Sequence, residues 1–193
     1  MKKEEFLAFS LPYGLKCKLN NIGIFNLDEE YPEPHNEICE ITNVLKSNEG
    51  FEYEISDGNI SYGFIESEEF DIILHPMSDL TKRIEHNGEK FVPIIELAKI
   101  GFDVYDNLKI KVKSEDKISG CIFLDEDNDI IVFVYHYETQ SFCAHYHVTM
   151  QFISVHYQLK MFQKLIEWHF DIAGLIDKGE AIDVNTLEIN PYK

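Results

Sequence analysis

Nine short apolar runs, each four to eight residues long and bounded by turn formers, constrain this fold more than any other feature. They fall at 22–25, 38–44, 51–55, 60–65, 70–74, 108–112, 120–124, 130–137 and 142–148. Runs of this length, rich in Ile, Val, Phe and Tyr, read as strands. The Asp57-Gly58-Asn59 stretch between two of them is a hairpin signal. Tyr31-Pro32-Glu33-Pro34 cannot continue a ladder and is expected to form an exposed loop. A meander of hairpins is the economical arrangement for the strands from residue 108 onward.

Between the two groups of strands the pattern changes. After His75-Pro76, Ser78 can cap a helix over 79–86 that Asn87-Gly88 closes. Pro93 suits the first turn of a second helix through Ile100, ended by Gly101. Near the carboxy terminus, Phe152, Val155, Leu159, Phe162 and Ile166 recur at spacings of three and four, while Gln151, Gln158, Lys160 and Gln163 fall largely elsewhere. That spacing predicts an amphipathic helix over 149–169, its apolar stripe widened by Trp168 and Phe170. A shorter helix through Ile176 and Lys178, stopped at Gly179, is expected to follow. The fold class is therefore α+β, with antiparallel strands in the N-terminal third, a two-helix segment, a β-meander and a long C-terminal amphipathic helix. One domain over 1–193 is expected, or a strand-rich acidic lobe over 1–76 with an α+β core over 77–193.

At 193 residues, with 45% hydrophobic residues, 14 Phe and 10 Tyr, the chain has ample material for a core. No apolar run reaches the roughly 18 residues of a membrane helix, and the opening Met1-Lys2-Lys3-Glu4-Glu5-Phe6 lacks the apolar stretch of a signal peptide. These features point to the cytoplasm, with no membrane partner. Cys17, Cys39, Cys121 and Cys143 are widely spaced and form no C-x-x-C motif, so reduced, packed thiols are expected.

Charge departs furthest from the average. The net charge is −18, and it is uneven: residues 19–76 hold fourteen acids and one base, Lys46, for a net of −13, whereas residues 77–120 hold eight of each. Such a field repels nucleic acid and anionic lipid and attracts basic surfaces, including those that normally hold a phosphate backbone. Excess carboxylates also keep a protein soluble.

One candidate metal site is written in the last hairpin. With a turn at 138–141, Cys143, His145 and His147 share a strand face, and His136 lies opposite Cys143. Three imidazoles and a thiol suit Zn²⁺, the one cofactor the chain suggests. The competing reading places these histidines on the solvated side of a sheet, because Phe133, Tyr135, Tyr137, Phe142, Ala144 and Tyr146 make the other face more apolar. His156 and His169, thirteen residues apart on the expected helix, cannot share a site.

The run Asp125-Glu126-Asp127-Asn128-Asp129 resembles the start of a calcium loop. It has Ile130 where glycine is required and His136 where a bidentate glutamate is required, so it reads as a hairpin tip. Phosphate-binding glycine loops, nucleophile elbows and H-E-x-x-H helices are absent from the sequence. No catalytic residue is assigned. The densest basic stretch, Lys109, Lys111, Lys113 and Lys117, is offset by Glu115 and Asp116, which disfavours direct nucleic-acid binding.

Three stretches carry a resemblance. Leu74-His75-Pro76-Met77-Ser78-Asp79-Leu80-Thr81, continuing through Ile84-Glu85-His86-Asn87-Gly88-Glu89-Lys90-Phe91-Val92-Pro93, resembles a segment of small uncharacterised proteins encoded by Bacteroidetes phages and prophages. So do Leu165-Ile166-Glu167-Trp168-His169-Phe170-Asp171, with Gly174-Leu175-Ile176 and Ala181-Ile182-Asp183, and the opening Leu11-Pro12-Tyr13-Gly14-Leu15.

The resemblance implies a phage context, in which an acidic accessory protein without a catalytic motif acts by binding. The leading expectation is a phage protein that docks stoichiometrically on a basic host or phage protein, with inhibition of a defence nuclease, as an anti-CRISPR protein does, its concrete form. Asp28, Glu29, Glu30, Glu66, Glu68 and Glu69 are the candidate contact residues. The alternatives are a zinc protein or enzyme built on His136, Cys143, His145 and His147, and a phage DNA replication or packaging factor that self-associates through its aromatic C-terminal helices.

Overall fold

The computed structural model describes residues 1–20, 38–46, 51–56, 61–66, 69–102, 111–115, 118–124 and 129–193. The expected strand at 22–25, the Tyr31-Pro32-Glu33-Pro34 loop, the Asp57-Gly58-Asn59 turn and the carboxylate run 125–128 lie outside these residues. The chain forms two compact units: Met1–Pro76 with Ile166–Tyr192, and Met77–Leu165.

The first unit is built on a six-stranded sheet in the order β13-β5-β1-β2-β3-β4. Its strands are β1 (Lys16–Leu19), β2 (Ile38–Lys46), β3 (Phe51–Ser56), β4 (Ser61–Glu66), β5 (Phe70–Leu74) and β13 (Ala181–Asp183). All neighbours are antiparallel except β13 and β5. Alternate residues point to one face, so Cys17 and Leu19, Cys39 and Ile41, Tyr53 and Ile55, and Phe70, Ile72 and Leu74 form one buried layer. Helix α1 (Lys3–Ser10) adds Phe6 and Leu7 to that layer. Ile73 points the other way, where Val184 and Tyr192 bury it. Both faces of β5 are therefore covered, which explains why its sequence, Phe-Asp-Ile-Ile-Leu, is nearly continuous in apolar residues.

The second unit carries the expected meander. Strands β8 (Lys111–Glu115), β9 (Ile118–Leu124), β10 (Ile130–His136), β11 (Ser141–Tyr146) and β12 (Phe152–Ile153) pair in sequence order as an antiparallel sheet. Phe133 stacks on Phe142 at 5.6 Å, and Phe102 and Phe162 meet these rings edge-on. Helix α2 (Pro93–Phe102) begins at Pro93 as its sequence predicts and buries Ile94, Leu97, Ala98 and Gly101 at helical spacing. Gly101 lies inside this helix instead of ending it: a Cβ there meets Val155 Cγ1 at 3.2 Å.

Three expected helices are replaced. Residues 79–86 divide into a 3-10 turn (Met77–Thr81) and strand β6 (Ile84–His86), which pairs with β7 (Glu89–Phe91). Asn87 and Gly88 have φ of 50° and 79°, so the pair makes the mirror-image turn of a tight hairpin and does not close a helix. The long helix over 149–169 is also not formed. Helix α3 covers only Gln158–Glu167, ten residues, and buries Met161 and Leu165 instead of the stripe at Phe152, Leu159 and Ile166. Met150 and Tyr157 both have left-handed backbone, at φ 55° and 54°. They bracket a segment whose Phe152 and Ile153 pair with His145 and Ala144 of β11. Strand pairing thus takes the first third of a pattern whose periodicity looked helical, and the phase restarts at Gln158.

The third replacement is at 172–178, which forms turns. The Asp171 carboxylate accepts from the Leu175 and Ile176 N–H groups, both at 2.8 Å, and so satisfies donors a helix would have used. Among the described residues, no helix is long and apolar enough to cross a membrane.

Candidate functional site

Acidic residues gather toward one end of the first unit's sheet. Strand β4 is its last strand, paired with β3 alone in the sheet order. Glu52 of β3 is the Cα partner of Glu66 of β4, and Glu54 is the partner of Phe64. On its other side Glu52 faces Leu45, and Glu54 faces Asn43. Lys46 of β2 is the Cα partner of Phe51. Further in, Glu40 is matched by Lys16 at 2.6 Å. Like charges directly across a ladder destabilise it by a few tenths of a kcal/mol up to about 1 kcal/mol.

Of the contact residues expected from sequence, Asp28, Glu29, Glu30 and Glu68 lie outside the described residues. Glu66 ends β4, and Glu69 is half-buried just before β5, its carbonyl accepting from the Asn20 N–H at 2.9 Å. Glu52 and Glu54 were not singled out from sequence. Their position became visible only through the β2-β3-β4 register.

The histidine hairpin forms with a different register. His136 is the Cα partner of Ser141, Cys143 of Val134, and His145 of Val132. The turn therefore spans 137–140, with Gln140 at φ 47°, and His136 does not lie opposite Cys143. On the face they share, His136 and His145 are separated by four residues of ladder, roughly 13 Å. His147 lies past the end of β11, exposed, with its N–H bonded to the Ile130 carbonyl at 2.8 Å. His145 instead meets the Phe152 ring, at 6.3 Å. The four residues are not brought together, and among the described residues no group of three or more His, Cys, Asp or Glu is placed to hold a metal ion. The opposite face is the buried one, with Phe133, Tyr135, Phe142 and Ala144 almost wholly covered.

His156 precedes α3 and is exposed, whereas His169 follows it, is 1% exposed and has φ 56°. Sequence reading missed the node around His169. Its ring lies 4.3 Å from Tyr192, which is 6.0 Å from His75. The His75 N–H donates to the His169 carbonyl, the Asp171 N–H donates to the His75 carbonyl, and His75 bridges Phe170 in parallel. The Tyr192 hydroxyl donates to the Ile73 carbonyl at 2.6 Å and accepts from the Lys16 N–H at 3.1 Å. Burial pushes its ionisation well above the usual tyrosine range. Leu74-His75 and His169-Phe170-Asp171, two of the stretches that carried the resemblance, meet here, and their contacts fasten the chain's two ends into one sheet.

Burial, with Cys39 next, pushes the Cys17 thiol far up, and burial raises Cys121 to about 12. An open cleft of about 570 Å³ is lined by Lys2, Lys3, Lys178, Glu4, Asp71 and Glu180. Lys3 and Lys178 there donate to the Phe70 and Ala173 carbonyls.

Comparison of the chain with family models, with curated proteins and with solved structures finds no match.

Proposed function

We propose that this chain is a stoichiometric protein-binding protein that presents the acids of residues 19–76 to a basic surface on another protein, one built to hold a nucleic-acid backbone. The observation that carries this reading is the pairing of Glu52 with Glu66 on the last two strands of the sheet, within a segment of fourteen acids and one base. A uniformly solubilising excess would spread its carboxylates; here residues 77–120 are neutral and 19–76 carry −13.

The resemblance to phage-encoded proteins supports a more specific form: an inhibitor that occupies the nucleic-acid channel of a host defence nuclease, a CRISPR nuclease among them. The metal-site reading has no comparable observation behind it.

The test is capture of partners from host lysate at low salt with elution by a salt gradient, repeated with Glu52, Glu54, Glu66 and Glu69 changed to Lys. Asp177→Lys with Glu180→Lys, exposed on the same unit, is the control. A partner that elutes early from the first variant and normally from the control supports docking through these acids. A partner held equally by both variants, or eluting without regard to salt, counts against it.

A further inference from the structure

We propose that the β12 edge of the second unit is a homodimer interface, at which a second copy of this chain docks its own β12 edge. Five large apolar side chains within twelve residues are unusually exposed: Val148 at 84%, Met150 at 61%, Phe152 at 77%, Tyr157 at 60% and Leu159 at 74%. Two of them sit on formed structure: Phe152 belongs to β12, which is hydrogen-bonded into the sheet, and Leu159 belongs to α3. Side chains of this size present on the order of 600 Å² in all, against the roughly 800 Å² per partner of a standard interface.

The surroundings of the edge select the occupant. From Thr139 to Leu159 there is no Asp, Glu, Lys or Arg, and no acid occurs before Glu167, in a chain of net charge −18. Two copies meeting through acidic faces repel; this stretch is one on which they do not.

Strand β12 is also the terminal strand of its sheet, and at two residues it offers few outer backbone groups, so the contact rests on side chains. Charged residues ordinarily protect such an edge. Strand β12 carries none. A two-fold axis between the two β12 strands pairs Phe152 with the neutral face around it and closes the assembly at two copies.

The interface is independent of the acidic docking face, and salt separates the two. Docking on a basic partner weakens as salt rises, whereas an apolar contact between two anionic copies holds or strengthens, because repulsion is screened.

The experiment is sedimentation velocity of the full chain from 1 to 200 µM at low and high salt. It covers the wild type, Phe152→Lys, Val148→Lys and the control Ile189→Lys, which alters an equally exposed residue of the first unit. All four should give the same far-ultraviolet circular dichroism, since each site is exposed. The wild type and Ile189→Lys should convert from monomer to dimer across this range, more readily at high salt. Each edge variant should shift the midpoint concentration upward at least tenfold. A wild type that stays monomeric at 200 µM overturns the proposal, as does a dimer that both edge variants leave unchanged.

Discussion

Glu52 and Glu66 stand as direct partners across β3 and β4, two carboxylate residues in one rung at the end of the sheet. Such a rung works against pairing, so Glu52→Lys should stabilise the protein by about 0.5 kcal/mol in urea unfolding at low salt, with the gain shrinking in 1 M salt. The same substitution should weaken partner capture. A variant that gains stability while losing binding separates a docking residue from a structural one.

Cys121 is buried against α2, its Sγ 3.8 Å from the Ile94 carbonyl, and its thiol is raised from the ordinary 9.0 to about 12 by burial. Burial likewise raises Tyr135 from 10.0 to about 12. Folding therefore favours the neutral forms. Their contribution is fully present below about pH 9 and is lost as pH rises toward 12, at roughly 1.4 kcal/mol per pH unit for each group in its window. Urea midpoints measured from pH 8 to 11 should fall steadily above pH 9, and Cys121→Val should flatten the early part of that decline.

Gly120 faces Val134 across β9 and β10, and a Cβ there lies 2.6 Å from the Phe133 carbonyl oxygen and 2.7 Å from Val134 Cγ1. Backbone cannot yield as a flexible side chain does. Gly120→Ala should cost about 2–4 kcal/mol, read as a lowered urea midpoint.

Tyr192 joins the carboxy-terminal segment to β1 and β5 through one hydroxyl. Tyr192→Phe keeps the ring against His169 and strands the Ile73 carbonyl and the Lys16 N–H, at a cost of about 1–3 kcal/mol. Hydrogen exchange at Lys16 should accelerate in that variant while exchange in the second unit stays unchanged.

The strands were legible in the sequence because alternation and turn formers are local signals. Expected runs at 38–44, 51–55, 70–74, 120–124 and 130–137 lie within observed strands or overlap them almost completely. The mixed α+β class and the meander follow from those runs. What failed depended on distant contacts. Phe152 fits a helical period, yet the edge of β11 took it and Ile153 into a ladder. Asn87-Gly88 suits a helix end and a hairpin equally by composition, and the buried alternation of Ile84 and His86 decides for the hairpin. The histidine cluster failed by two residues of register, because the four-residue turn falls at 137–140, one position before the expected 138–141, and sequence does not reveal where such a turn sits. Glu52 and Glu66, fourteen residues apart, became a pair only once β3 and β4 were aligned.

The most direct test of the account is the salt dependence of a captured partner's affinity, measured for the wild type and for the chain with Glu52, Glu54, Glu66 and Glu69 reversed to Lys. Docking through the acids of residues 19–76 predicts that affinity falls at least tenfold between 50 and 300 mM salt, and that the reversed chain binds weakly at both. Affinity that ignores salt and survives the reversal would contradict it.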